Sequence, residues 1–230
     1  MTDLAALTSP DVAGRAAAGA LLAVPVGSTE QHGPHLPLST DTDLAVALCA
    51  RLAAAHPGVL AGPPVAYGAS GEHQDFAGTL SIGTQALELL LVELGRSATV
   101  TFGRVLLVST HGGNAEAVAR AERRLRAESR DVRVWRPAWE GDAHAGRAET
   151  SIELALAPGR VRPGLAEAGN AAPLAELMPA LRRSGVRAVS PNGVLGDPAG
   201  ASAAEGAALV DRMLAGLLAM VTAWDAEAGT

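Results

Sequence analysis

An α/β fold, with a mostly parallel sheet covered by helices on both faces, is what this sequence predicts. Three observations carry that expectation. Short apolar runs alternate with longer segments of helical periodicity along the whole chain. Polar loops rich in Gly, Pro and His follow directly on several of those runs. No linker-like stretch divides the 230 residues, so residues 1–230 are expected to form one domain with a substantial core.

Taken in order, Pro10 opens a short helix over 11–19, which feeds an apolar strand from Leu21 to Val26. Leu44, Ala47, Leu48 and Leu52 recur at helical spacing and predict a helix over 43–55, closed by Pro57-Gly58. A short strand over 59–65 is interrupted by Pro63-Pro64. The glycine-rich stretch 68–78 reads as a polar loop, and 79–82 as a brief strand. Thr84 is placed to cap a long helix reaching about Phe102, with Leu87, Leu90, Leu91 and Leu94 on one face. A buried strand over 104–108, a helix over 114–129 and a strand over 132–135 follow. Further helices are expected over 150–157, near 174–183 and over 202–224, with a Pro- and Gly-rich loop over 190–200.

Composition removes several function classes. Hydrophobic residues make up 48% of the chain and aromatics only 3%, so the core is aliphatic. A net charge of −6 offers no basic footprint for general nucleic-acid binding. All 18 basic residues are Arg, and without lysine there is no Schiff base, P-loop lysine or Ser-Lys dyad. Cys49, the single cysteine, cannot form an internal disulfide and falls in register with an apolar helix face, as a buried thiol would. The N-terminus lacks the pattern of a signal peptide, and no uninterrupted apolar stretch approaches the roughly 18 residues of a spanning helix. A soluble cytoplasmic protein, bound to neither nucleic acid nor membrane, is expected.

Three loops concentrate the chemistry. The first, Glu30-Gln31-His32-Gly33-Pro34-His35 running on to Asp41, offers carboxylates and imidazoles suited to a divalent metal. The second, Ser109-Thr110-His111-Gly112-Gly113-Asn114, closes another apolar strand, and its glycines allow close backbone approach. The third runs from Asp142 through His144 to Glu149 and Thr150. Ligands of open parallel sheets bind beyond the carboxyl ends of strands, where Glu30, His32 and His111 all fall, so one shared site is expected.

Plainer readings stand beside these. Asp41 could be a helix N-cap, a role open to Thr40 and Asp43 as well. His111 could be a satisfied core histidine, and His144 with Glu149 a surface pair whose acid suits a helix N-terminus. The stretch from Gly71 to Phe76 fits a substrate wall or lid, with Glu72 and His73 touching substrate, better than a competing metal centre. His35 reads as loop packing or as support behind the ligands, and His56 as a solvated helix-end residue. Of the tryptophans, Trp139 alone lies near the third loop as a candidate substrate contact, while Trp135 and Trp224 read as packing.

Together the three loops resemble the creatininase family of metal-dependent amidohydrolases. The resemblance rests on Pro25-Val26-Gly27-Ser28-Thr29-Glu30-Gln31-His32-Gly33, the following Asp41, His111-Gly112-Gly113-Asn114, and His144-Ala145-Gly146 with Glu149-Thr150-Ser151. The segments from Tyr67 to Thr79 and from Ser190 to Pro198 extend it to a peptidase branch of that family. It implies a three-layer α/β/α fold, a homo-oligomer and one or two divalent ions, zinc, iron or manganese. It also implies metal ligation by Glu30, His32, Asp41 and His111, with Asp41 as the bridge if two ions bind. His144 matches a proton-transfer histidine. Creatininase has a glutamate where this chain has Gly113, so Glu149 is expected to supply the missing oxygen, as ligand or base. Ser109 stands where many members have Asn. For the peptidase branch, the substrate implied is a modified precursor peptide cut near its C-terminus, releasing a cross-linked Val-Tyr-derived lactam on the way to a redox cofactor. A bound ion would acidify water and polarise the scissile carbonyl. Two alternatives remain at this stage: a hydrolase of small cyclic amides or formamides, and a non-catalytic metal-held scaffold, which would need a closed site.

Overall fold

The structure is a computed structural model that describes residues 2–138 and 141–228. Trp139 therefore lies outside the described residues. Four parallel strands, β1 (Leu21–Val26), β2 (Val59–Ala61), β3 (Arg104–Ser109) and β4 (Asp131–Trp135), form one sheet in the order β2-β1-β3-β4. Among the described residues, seven α-helices accompany them: α1 (Ser9–Ala17), α2 (Thr40–Ala55), α3 (Gly83–Ala98), α4 (Ala115–Ala127), α5 (Arg147–Leu156), α6 (Leu174–Ser184) and α7 (Ala203–Ala228).

Side chains alternate across a strand, so the uniformly apolar β1 feeds two cores at once. Leu22, Val24 and Val26 pack with Leu87 and Leu91 of α3 and Val118 and Leu125 of α4. Leu21 and Ala23 turn to the opposite face, against Leu48 and Leu52 of α2, Ile152 of α5 and Val210, Leu217 and Trp224 of α7. Three layers, α/β/α, result. Among the described residues α7 is the helix long and apolar enough to cross a membrane, yet its apolar side packs into this second core.

Several expected boundaries move. Residues 79–82 form no strand; Leu80 and Ile82 donate single backbone hydrogen bonds to Thr29 and Gly68 instead, without a ladder. α3 begins at Gly83 and ends at Ala98, which puts Thr84 inside the helix and not at its cap. Leu90 is exposed, because the buried stripe of α3 runs through Leu87, Leu91 and Val92. β2 stops at Ala61, before the proline pair. His56 is half-buried and holds Asp225 at 2.8 Å, so it is a helix-end residue with a partner and not a solvated one. Cys49 is buried, as its register implied.

The strand order matters most for function. β1 is followed in sequence by β2 on one side and flanked by β3 on the other. Connections therefore diverge at the carboxyl ends of β1 and β3, the place where such sheets leave a crevice.

Candidate metal centre

Both strand-end loops enter that crevice. Glu30 and His32 follow β1, and His111 follows β3. α2 begins at Thr40, earlier than its apolar spacing suggested, so Asp41 lies in its first turn among free N–H groups that favour a carboxylate. Gly27 makes the approach possible: a Cβ there would fall 2.4 Å from the Thr42 Cα. α5 likewise starts at Arg147, which puts Glu149 in its first turn, where its Oε2 accepts from the Ala145 N–H at 2.5 Å.

The side chains then converge. His111 stands with Nε2 3.1 Å from Glu30 Oε2 and Nδ1 3.1 Å from Asp41 Oδ2. His32 Nε2 is 3.8 Å from the same Asp41 oxygen and 3.9 Å from Glu149 Oε2. His144 Nδ1 faces Glu30 Oε1 at 3.9 Å and Glu149 Oε2 at 4.0 Å. Asp41 is thus common to two hollows, one bounded by Glu30 and His111 and the other by His32 and Glu149. The donor atoms of Glu30, Asp41 and His111 lie within 4.8 Å of one another, as do those of His32, His144 and Glu149.

All these groups are buried or nearly so, and several lack ordinary partners. Among the described residues, Glu30 Oε1, Glu30 Oε2 and His32 Nε2 have no hydrogen bond. A buried carboxylate without donors is costly, and a cation is the natural compensation. The donor set, carboxylate oxygen and imidazole nitrogen without thiolate, suits zinc, manganese or iron. His32 Nδ1 lies 3.1 Å from its own loop's Glu30 carbonyl, which fixes its proton there and frees Nε2.

Charge in the pocket is mutually dependent. Burial pushes Glu30 up to about 7 against the pull of His111, and pushes Glu149 to about 7 as well. Asp41 goes the other way: despite burial, His32 and His111 hold it well below the usual carboxylate range. Against burial, Asp41 lifts His32 to about 10, and Glu30 with Asp41 lifts His111 to about 10. Burial and the charge on His32 drive His73 down to about 3 and His144 well below the ordinary histidine value. Protons and a divalent cation would compete for the same nitrogens.

Of the other expected residues, Glu72 and His73 come from a short 3-10 turn, Gly71–His73. Glu72 is half-buried and lines the same cleft, with Oε1 beside Gly113. His73 is buried, with Nε2 3.4 Å from Glu30 Oε1, so it joins the donor cluster while also lining the cleft. Gly113 is required: a Cβ there would meet the Ala69 carbonyl at 2.3 Å and His111 Nε2 at 2.5 Å. His35 packs away from the hollows, 2.8 Å from Thr150 Oγ1. Sequence reading passed over three residues. Ser28 donates to Asp41 Oδ2 at 2.7 Å, Asn114 clamps Ala69 N and Gly27 O, and Gln31 touches two imidazoles. Their only local signal was position inside the strand-end loops.

The cleft above the pocket has a volume of about 1560 Å³ and runs past Arg136, Asp142 and Arg147 to Pro173, Met178 and Val186. It is open to solvent and far larger than the hollows themselves. A three-layer α/β protein whose carboxylates and imidazoles gather at diverging parallel strand ends, beneath an open cleft, is a metal-dependent enzyme by class.

Comparison with known proteins narrows this. A family model described as creatinine amidohydrolase, creatininase, matches residues 5–221. The chain belongs to the creatininase family. It is 53% identical over 211 residues to the mycofactocin precursor peptide peptidase of Mycobacterium ulcerans, covering 87% of this chain and 84% of that one. Identity to the protein of the same name from Mycolicibacterium smegmatis is 51% over 214 residues, covering 90% and 86%. A solved structure titled "Creatininase Mn" superposes with a TM-score of 0.81 at 25% identity, over 96% of this chain and 97% of that one.

Proposed function

We propose that this chain is a metal-dependent peptidase that hydrolyses an amide bond near the C-terminus of the modified mycofactocin precursor peptide, releasing its cross-linked Val-Tyr-derived moiety. The observation that carries the reading is identity above 50%, across most of the chain, to relatives named for that activity. Cleft size agrees with it: about 1560 Å³ exceeds the roughly 300–1,000 Å³ of a typical small-molecule site.

Glu30, Asp41 and His111 are assigned to one ion, and His32, Asp41 and Glu149 to a second if two bind. Zinc, iron and manganese all fit these donors. A divalent ion, when bound, acidifies water and polarises an amide carbonyl. Around it the chain's own groups divide the labour. Asp41 is held by Ser28 so that one oxygen serves both hollows. Glu149, with its carboxyl raised by burial, is either the ligand that replaces the absent side chain at Gly113 or a base. His144 passes a proton to the departing amine, a role worth about 10²–10⁴ in rate. Glu72 and, beyond the described residues, Trp139 are assigned to substrate. A cytoplasmic homo-oligomer belongs to the same reading, checked by light scattering.

The test is direct. Protein loaded with zinc or with ferrous iron is incubated with the modified precursor peptide, with creatinine and with formamide, and products are read by mass spectrometry. Release of the C-terminal moiety from the peptide is expected. Hydrolysis of the small amides alone would make the chain a small-molecule amidohydrolase, the reading its membership of the creatininase family favours next.

A further inference from the structure

Gln31, between Glu30 and His32, has a carboxamide whose orientation its neighbours dictate. The Gly33 N–H can only donate, so the atom 2.8 Å from it is Oε1. The Gly193 carbonyl can only accept, so the atom 3.1 Å from it is the amide nitrogen Nε2. Two imidazole nitrogens also approach that Nε2, His73 Nδ1 at 2.8 Å and His144 Nε2 at 3.0 Å. Meanwhile the main-chain carbonyl of Gln31 stands 2.8 Å from His144 Nε2.

These contacts fix two tautomers. A carbonyl only accepts, so His144 carries its proton on Nε2 and keeps a lone pair on Nδ1. The remaining amide proton of Gln31 then goes to His73 Nδ1, and the neutral His73 ring carries its own proton on Nε2. The reverse assignment would turn a His144 lone pair onto the Gln31 carbonyl and leave a His73 N–H facing the Gln31 amide N–H at 2.8 Å. In the assignment adopted, the 3.0 Å approach of Gln31 Nε2 to His144 Nε2 is a contact of two donors and not a hydrogen bond.

The opposite ends of both rings face the cation pocket. His144 Nδ1 looks toward Glu30 and Glu149, and His73 Nε2 toward Glu30 Oε1 at 3.4 Å. Among the described residues that Glu30 oxygen makes no hydrogen bond, so its 3.4 Å contact with His73 Nε2 is not one. The two rings are 4.4 Å apart, and both border the cleft.

We propose that Gln31 is a positioning residue that holds both rings in the Nε2–H form, and that His73, through its Nε2–H, donates a hydrogen bond to the scissile carbonyl oxygen of the substrate. His144 presents a lone pair beside it, ready to take a proton. No covalent change is asked of His73. As the carbonyl oxygen gains negative charge, a fixed and buried donor costs no reorganisation, and removing one such donor typically lowers kcat about 10²–10³-fold. The role of His73 rests on the amide-hydrolase reading; the tautomers do not.

The chain has six histidines, so ring-nitrogen NMR of zinc-loaded, ¹⁵N-histidine protein resolves the first part. Both His73 and His144 are expected in the Nε2–H form, with Gln31→Leu losing that pattern for His73 while retaining zinc. An Nδ1–H signal for His73 in the wild type overturns the assignment. For the second part, His73→Gln places an amide N–H near the position of Nε2, and His73→Asn places one near Nδ1. With equal zinc content, the Asn variant should lose about 10²–10³-fold in kcat at little changed KM, and the Gln variant should recover part of it. Equal loss in both, or a change confined to KM, overturns the donor role. A wild type that hydrolyses no amide at all sinks the peptidase reading and that role together, while the spectrum still decides the tautomers.

Discussion

Glu30 and Glu153 are the instructive pair. Both are fully buried, neither carboxylate has a hydrogen-bond partner among the described residues, and burial pushes each up to about 7. Judged by cost alone the two are alike. Their company separates them. Glu30 has three imidazoles within 4 Å, from His73, His111 and His144. Glu153 lies one turn along α5 from Glu149, with Asp43 raising its carboxyl and Arg160 opposing, and among the described residues it makes no ion pair. A buried, unsatisfied acid is therefore weak evidence of a site. Convergent nitrogen donors turn the same misfit into a candidate centre.

The sharpest way to break that contrast is to neutralise the first acid. Glu30→Gln, like His32→Ala and Asp41→Ala, is expected to lose metal and turnover together, by more than the 10²–10⁴ or so that one proton-transfer group supplies. Elemental analysis checks it, and unchanged metal content in all three would overturn the ligand assignment. His144→Ala comes next: metal should stay, and kcat should fall about 10²–10⁴-fold. Loss of the ion in that variant would make His144 a ligand instead. Gly113→Ala tests the pocket's shape without replacing a donor. Its Cβ would press on the Ala69 carbonyl and His111, so a stability cost of about 1–3 kcal/mol and weaker metal affinity are expected in calorimetry and chelator competition.

Glu153→Gln is the mildest, and its sign can be worked out. Unfolded, the carboxyl titrates near 4.5; folded, near 7. As pH rises from 4.5 to 7 the unfolded chain releases a proton that the folded chain keeps, so stability falls and then levels off above about 7. Gln removes that penalty. At pH 8 the variant should be more stable by on the order of 2 kcal/mol, and at pH 4 nearly equal, with metal content and turnover unchanged. A parallel loss of activity would erase the distinction between the two acids.

Much of this was legible residue by residue. β1 and β3 were readable because a run apolar on both faces has few other fates. Glu30, His32 and His111 were readable as site residues because they end such strands. His73 was not placed in the cluster, since its glycine-rich segment gives no periodic signal and its partner Glu30 is distant in sequence. Asp41 was readable as a donor from the first loop and Glu149 as a ligand by resemblance, but α2 and α5 begin earlier than the sequence suggested. Polar residues at 40–42 and 147–149 hide helix starts that tertiary contacts stabilise.

Apolar run length, loop composition and the absence of lysine are local properties, and they determined the layered α/β class, the three polar loops and the kind of chemistry available. Which donors meet depends on strand order, β2-β1-β3-β4, and on where α2 and α5 enter the crevice. In the proposed assignment, the proton on His73 depends on the Gln31 side-chain amide and that on His144 on the Gln31 main-chain carbonyl. Those choices were made only by the tertiary structure, because hydrogen-bond complementarity among segments far apart in the chain does not exist until they pack.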